Sequence, residues 1–175
     1  MLDRVKMILR NIYLIKKHPH VKFNGRNRIL LSTEIIQREQ GIIVLGENIV
    51  TKKRVSFASI GGQLTVGDNV FFNRNNIIVS HEKISIGKNC SFGPNVVIYD
   101  HDHKFGIRGI EASEYNTSPI IIEENCWIGA NVTILRGTHI GSCCVIGAGS
   151  IVKGEIPPHS LVTSERKMII KPIEN

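Results

Sequence analysis

The stretch Ile122–Pro157 reads IEENCW, IGANVT, ILRGTH, IGSCCV, IGAGSI and VKGEIP. A branched aliphatic residue opens each block of six: Ile122, Ile128, Ile134, Ile140, Ile146 and Val152. Four places later stands a small or apolar residue: Cys126, Val132, Thr138, Cys144, Ser150 and Ile156. Two inward positions per six residues do not make an α-helical stripe, which needs apolar residues at steps of three and four. Plain strand alternation fails as well, because Gly or Asn keeps returning at one phase. Gly129, Gly141 and Gly147 follow the aliphatic residue, and Asn125 and Asn131 come three places after it. These residue types enter positive φ at least cost. The block is therefore a short strand plus a corner, and three blocks close one turn of a triangular prism. The spacing predicts a parallel β-helix whose coils must stack to bury their aliphatic axis.

Outward from that stretch the same phase returns at Leu45-Gly-Glu-Asn, Val66-Gly-Asp-Asn and Ile86-Gly-Lys-Asn, before Ile122-Glu-Glu-Asn and Ile140-Gly-Ser-Cys. From 45 to 66, 86, 122 and 140 the steps are 21, 20, 36 and 18 residues. Eighteen is one coil of three blocks. Steps of 20 and 21 add a corner insertion near Gly61-Gly62 and His81–Lys83. The step of 36 holds one coil, with blocks at Ile86, Phe92 and Ile98, and then a segment without clean blocks. Residues 102–118 are expected as a loop thrown out from the prism, and long loops in compact repeats are usually functional. Alternation at Arg28–Ser32 and Ile42–Leu45 predicts the irregular strands that start the coil.

Residues 2–16 place Leu2, Val5, Ile8, Leu9, Ile12 and Ile15 at helical spacing, with Pro19 as a stop. The organisation read from this is a helical segment at 1–20, the prism at 21–162 and a tail at 163–175. Arg10 interrupts the apolar run, so the helix is not a membrane span. Its basic and apolar faces suit peripheral contact with a membrane surface, or packing on the first coil or on a neighbouring subunit.

The chain has 175 residues, enough for one domain, with 42% hydrophobic and 6% aromatic content. Low aromatic content suits a narrow axis. Cys90, Cys126 and Cys144 fall on inward phases and read as small buried hydrophobes, and no zinc-type Cys-x-x-Cys spacing occurs. With no signal peptide pattern, a reduced cytoplasmic setting is expected, with or without peripheral membrane contact. The net charge of +7 is compatible with a polyanion, but no aromatic platform or recognition helix accompanies it, so nucleic acid is not the expected partner.

Roughly residues 41–162 resemble the left-handed parallel β-helix acyltransferases built on hexapeptide repeats, most of all the galactoside and maltose type of sugar and polysaccharide O-acetyltransferases. The resemblance supplies the left hand, against the usual right-handed crossover rule. The expected fold is thus all-β, a left-handed β-helix with a short N-terminal α-helix. The resemblance also implies a homotrimer with each site between two chains, acetyl-CoA as cosubstrate, and a small-molecule or lipid-linked sugar acceptor. No metal is implied.

Transfer from a thioester to a hydroxyl needs a base, and histidine titrates in the right range. Laying Asn95-Val-Val-Ile-Tyr on the family's segment, with Pro119 and Trp127 in step, puts His103 on the family's catalytic position. His101 is the alternative, on the same side of an extended chain. Asp100 or Asp102 is a candidate to orient the imidazole. The resemblance further places Asn73, Glu114 and Tyr115 near the acceptor. It assigns Trp127, Gly129, Ala130 and Ala148 to the cofactor arm, and Lys153, Arg166, Lys167 and Lys171 to its phosphates. Where the family continues with Gly-x-Pro-Ala, this chain has Thr163-Ser164-Glu165-Arg166-Lys167, so the loop backbone there differs. Other readings of the same prism are a serine or antibiotic acetyltransferase, a γ-carbonic-anhydrase-like zinc protein using His81, His101 and His103, and a non-catalytic assembly subunit. The His-x-His spacing departs from the zinc family's pattern.

Overall fold

The computed structural model describes residues 2–107 and 109–164. After a helix, Leu2–Lys17, the chain winds through three parallel sheets of seven, six and six strands, visiting each once per coil. The first face holds Val21–Phe23, Ile42–Leu45, Gln63–Val66, Lys83–Ile86, Ile120–Ile122, His139–Ile140 and Glu155–Ile156. The second runs from Val50–Thr51 to Leu161–Val162, and the third from Glu34–Arg38 to Ile151–Val152.

The aliphatic phase read from the sequence is the register of the stack. Leu45 pairs with Val66, Val66 with Ile86, Ile86 with Ile122, Ile122 with Ile140 and Ile140 with Ile156. All but the last of these are essentially inaccessible, and Ile156 packs against the end of the core. Each fully buried aliphatic stabilises the stack by about 1.5–3 kcal/mol. Midway along the axis Phe57, Phe72 and Phe92 replace it, with centroids 5.0 Å apart (edge-on) and 4.8 Å apart (stacked). Cys90, Cys126 and Cys144 are buried and unoxidised. Their thiols lie 3.1–3.2 Å from the carbonyls of Glu123, Gly141 and Pro157 on the next coil.

The two glycine and asparagine phases do different jobs. Three places after the aliphatic residue the chain turns left-handed, with φ of 60° at Asn125, 57° at Asn131 and 58° at Cys143. One place after it, Gly129 and Gly141 are not left-handed. They are needed because a Cβ on Gly129 would stand 2.7 Å from the Ala148 nitrogen, and one on Gly141 2.5 Å from that of Pro158. Corner asparagines also bond up the stack. Asn48, Asn69, Asn89 and Asn125 form one ladder, each carboxamide nitrogen donating to the next oxygen at 3.1–3.2 Å. Asn75, Asn95 and Asn131 form a second at 2.9 Å.

Two expectations change. Arg28–Ser32 contributes only a bridge, Arg28 to Val50, and the strand of that coil is Glu34–Arg38. Ile29 alone of that run is sunk in the core, so two residues suffice for the face. The segment expected as a loop at 102–118 is an antiparallel hairpin, His101–Gly106 against Gly109–Thr117, with a register shift after His103. It leaves at the corner between the third and first faces, where the smaller insertions at Glu39–Gln40 and Gly61 also lie.

Asn89 has φ of 59° and sits inside the ladder. Asn89→Ala is expected to cost about 1–2 kcal/mol from the left-handed backbone alone, and Asn89→Gly less. Denaturant midpoints of the two variants test this; equal loss would contradict it.

Candidate functional site

The site is built by a coil step of 20 residues on the third face. Ile78 pairs with Ile98 and Val79 with Tyr99, so Asp100 and His101 rise directly beside Ser80 and His81. Asp100 is wholly buried. Its Oδ1 accepts the His81 backbone N–H at 2.8 Å and faces His101 Nδ1 at 3.2 Å. Its Oδ2 accepts the Ser80 hydroxyl and the Glu82 N–H, both at 2.9 Å. Burial pushes this carboxyl up, but the bonds from His101, His81, Glu82 and Ser80 together hold it below the usual carboxylate range. An ionised Asp100 places a proton on the facing His101 Nδ1.

Around this dyad the rings close in. His81 and His101 centroids are 3.9 Å apart, Tyr99 lies 5.6 Å from His101, and Tyr115 lies 4.4 Å from His81, 5.3 Å from His101 and 4.7 Å from His103. His101 is mostly covered, with 12% of its side chain exposed, whereas His103, two residues up the hairpin strand, is exposed. Burial lowers the His81 pKa below 6.5, and a charge on His101 lowers it further, against the pull of Asp100.

Of the carboxylates considered as orienting groups, Asp100 holds a ring. Asp102 instead pairs with Arg136 and ties the hairpin to the next coil. Glu114 is bound to Lys104 at 2.7 Å across the hairpin, which holds Glu114 low and Lys104 high. Tyr115, by contrast, joins the histidines.

The remaining expected residues lie elsewhere on the chain. Asn73 stands at the corner between the second and third faces. Its Oδ1 accepts the Arg74 N–H, while Asn75 takes the left-handed turn and buried Asn76 caps Val96. Gly129, Ala130 and Ala148 stack at that same corner, higher up. Trp127 is 59% exposed on the second face, between Ser91 and Val145. Lys153 is exposed just beyond Val152. Arg166, Lys167 and Lys171 lie outside the described residues. One chain therefore gathers His101, His103 and Tyr115 at one edge of the third face. It gathers Asn73, Gly129, Ala130 and Ala148 at the other. The third face between them turns Ile36, Ala58, Ile60, Ile77 and Val79 toward a hollow of about 510 Å³, with Glu34, Arg38 and Arg54 on its walls at the first coils.

Sequence reasoning missed the roles of Ser80, His81 and Arg136. The 20-residue step, which sets position 81 beneath 101, carries that signal for His81 and Ser80. Nothing local to Arg136 marks it.

Comparison with known proteins came to the same repeats. The family described as hexapeptide repeat of succinyl-transferase matches residues 119–153. Escherichia coli galactoside O-acetyltransferase is 34% identical over 82% of this chain and 72% of its own length. The E. coli protein WbbJ, named for lipopolysaccharide biosynthesis O-acetyl transfer, is 33% identical over 77% of this chain and 74% of its own. A Saccharomyces cerevisiae relative is 35% identical, and this chain spans 60% of that protein's length. Among solved structures, a Vibrio cholerae hexapeptide-repeat acetyltransferase complexed with acetyl coenzyme A superposes with a TM-score of 0.61. It is 24% identical and covers 95% of this chain and 78% of that one, a likeness of fold.

Because the folded state holds His81 below its ordinary pKa, it binds fewer protons there than the unfolded chain. Stability contributed by neutral His81 is complete above pH 6.5 and falls as pH drops below it. His81→Asn should flatten that slope in unfolding midpoints measured across pH 5–7, a range set about the ordinary histidine value; an unchanged slope would contradict the assignment.

Proposed function

The chain belongs to the hexapeptide-repeat acetyltransferases, and we propose that it transfers acetyl from acetyl-CoA to a hydroxyl of a sugar or polysaccharide precursor. The observation that carries the reading is at the root of the hairpin. There, the imidazoles of His81, His101 and His103 converge on Tyr115 beside a buried, ionised carboxylate. His103, exposed and in register with the family's base, takes the acceptor's hydroxyl proton. The oxygen then attacks the thioester carbonyl, the new C–O bond replaces the C–S bond, and coenzyme A leaves as the thiol with the proton from the imidazolium. His101, fixed by Asp100, holds Tyr115 and the strand beneath His103. No acyl-enzyme is invoked. The Cys90 thiol is held high by its contact with Cys126 and by burial, and a buried thiol of that kind is a poor nucleophile.

The cofactor arm would lie along Trp127, Gly129, Ala130 and Ala148, where stacked glycine and alanine leave backbone groups within reach. Lys153, with Arg166, Lys167 and Lys171 as the resemblance has them, would meet its phosphates. Asn73 and Tyr115 would contact the acceptor; Glu114 would do so only by giving up Lys104. These two groups stand at opposite edges of the third face. Three copies packed side by side would bring the histidine edge of one to the glycine edge of the next. The outward apolar residues of that face support such burial, since strands covered on both faces read as continuous apolar runs, whereas strands with one face in water alternate apolar with polar. The donor and the reduced cysteines make the cytoplasmic side the proposed compartment.

His103→Ala is expected to lower kcat by about 10²–10⁴-fold with coenzyme A binding and the circular dichroism spectrum unchanged. Thiol release from acetyl-CoA over a panel of sugar acceptors is the assay. Survival of turnover in this variant and its loss in His101→Ala would move the base to His101. No turnover with any acceptor, together with stoichiometric zinc on the purified protein, would replace the reading.

A further inference from the structure

The helix Leu2–Lys17 is seated through the side that carries Leu14, which is 8% exposed. At about 100° per residue, positions 5, 8, 9 and 12 form one stripe, roughly opposite residue 14. That stripe is open: Val5 is 50% exposed, Ile8 52%, Leu9 61% and Ile12 47%, with Tyr13 beside it at 59%. An amphipathic helix normally sinks its apolar stripe in the core; this one leaves it about half exposed. Ile8 and Ile12 face a hollow of about 960 Å³ whose other walls include Phe23, Ile49 and Val50 of the prism and the basic Arg26 and Arg28.

The charge of the molecule is concentrated at the same end. Residues 1–28 hold eight Lys and Arg (4, 6, 10, 16, 17, 22, 26, 28) against Asp3, a balance of +7. Residues 29–175 hold the remaining 14 bases against 14 acids, so the whole net charge of +7 lies at the helix end of the prism. Lys6, Lys16, Lys22, Arg26 and Arg28 are exposed there. Among the described residues no helix is long and apolar enough to cross a membrane.

We infer that this end of the prism docks on an anionic lipid surface, with Val5, Ile8, Leu9 and Ile12 entering the headgroup boundary and the surrounding bases facing the acidic headgroups. Side-by-side packing of copies, as proposed above, would gather several +7 ends at one end of the assembly, a charge that a further copy adds to and an anionic surface offsets. A nucleic acid would answer the charge and leave the stripe in water. An acidic bilayer answers both, and apolar burial plus surface potential is how such helices bind. The docking does not depend on the chemistry proposed for the histidine edge.

Sedimentation with vesicles tests it on the full chain. Vesicles of equal parts phosphatidylcholine and phosphatidylglycerol should bind the protein about tenfold or more tightly than phosphatidylcholine alone, and molar salt should weaken that binding. Ile8→Glu with Leu9→Glu should reduce it to the neutral-vesicle level at unchanged melting temperature and oligomer size. Equal or absent binding to both vesicles overturns the inference. So does an oligomer that falls apart on Ile8→Glu with Leu9→Glu, which would make the stripe a contact between copies. Binding of a DNA duplex that is insensitive to those two substitutions, in place of vesicle binding, overturns it as well. Acetyl transfer to a water-soluble sugar is read on the same samples. Lost docking with turnover intact counts against the membrane contact alone, and absent turnover with intact docking counts against the transferase reading alone.

Discussion

Everything in this protein depends on coils stacking at backbone distance in one register. A Cβ on Gly87 would stand 2.6 Å from the Glu124 nitrogen, and one on Gly67 2.7 Å from that of Lys88. At these two positions the prism leaves no room for a side chain between coils. It tolerates no drift of the aliphatic phase either, since a slip of one residue would turn Ile98 or Ile128 out into water. Extra residues can leave the stack only at a corner, and the longest insertions leave at one corner, between the third and first faces.

That constraint makes a precise site out of short strands. Asp100 follows the third-face strand Val97–Tyr99, and the rigid pairing beneath it brings the His81 and Glu82 N–H groups and the Ser80 hydroxyl to its two oxygens. A carboxylate so bonded stays charged although no water reaches it. It then fixes the ring of His101, and His101 with His81 and His103 fixes Tyr115 of the returning hairpin strand. Arg136 on the next coil and the Lys104–Glu114 pair brace the hairpin from outside. The functional edge is thus an extension of the coil register, carried outward through one buried charge.

The fold was legible because its periodicity is dense: Ile122–Pro157 sets the phase, and Ile86, Val66 and Leu45 line up on it one, two and three coils away. Left-handed corners at Asn125 and Asn131 were legible for the same reason. The purpose of Gly129 and Gly141 was not, because close approach to a neighbouring coil involves residues 17 to 19 places later. The hairpin at His101–Thr117 hid because antiparallel pairing across a turn leaves no six-residue trace. At the site, the position of His103 could be read from its flanks. The capture of His101 rather than His103 by Asp100, and of Asp102 by Arg136, depends on which way side chains leave a strand that bends out of the prism. The apolar outer side of the third face went unread, although the unbroken run Ile77-Ile78-Val79 carries the pattern of a strand covered on both sides.

The proposed reaction centre is completed by two copies: the histidine edge of one and the glycine edge of the other. The direct measurement is turnover of mixed oligomers formed by co-refolding His103→Ala chains with Ala148→Trp chains, each inactive alone. Sites shared between neighbours should restore roughly a quarter of wild-type activity in a random equal mixture, since one pairing in four joins an intact base to an intact cofactor edge. Mixed oligomers that remain as inactive as their parents would place the whole site within one chain and contradict the account.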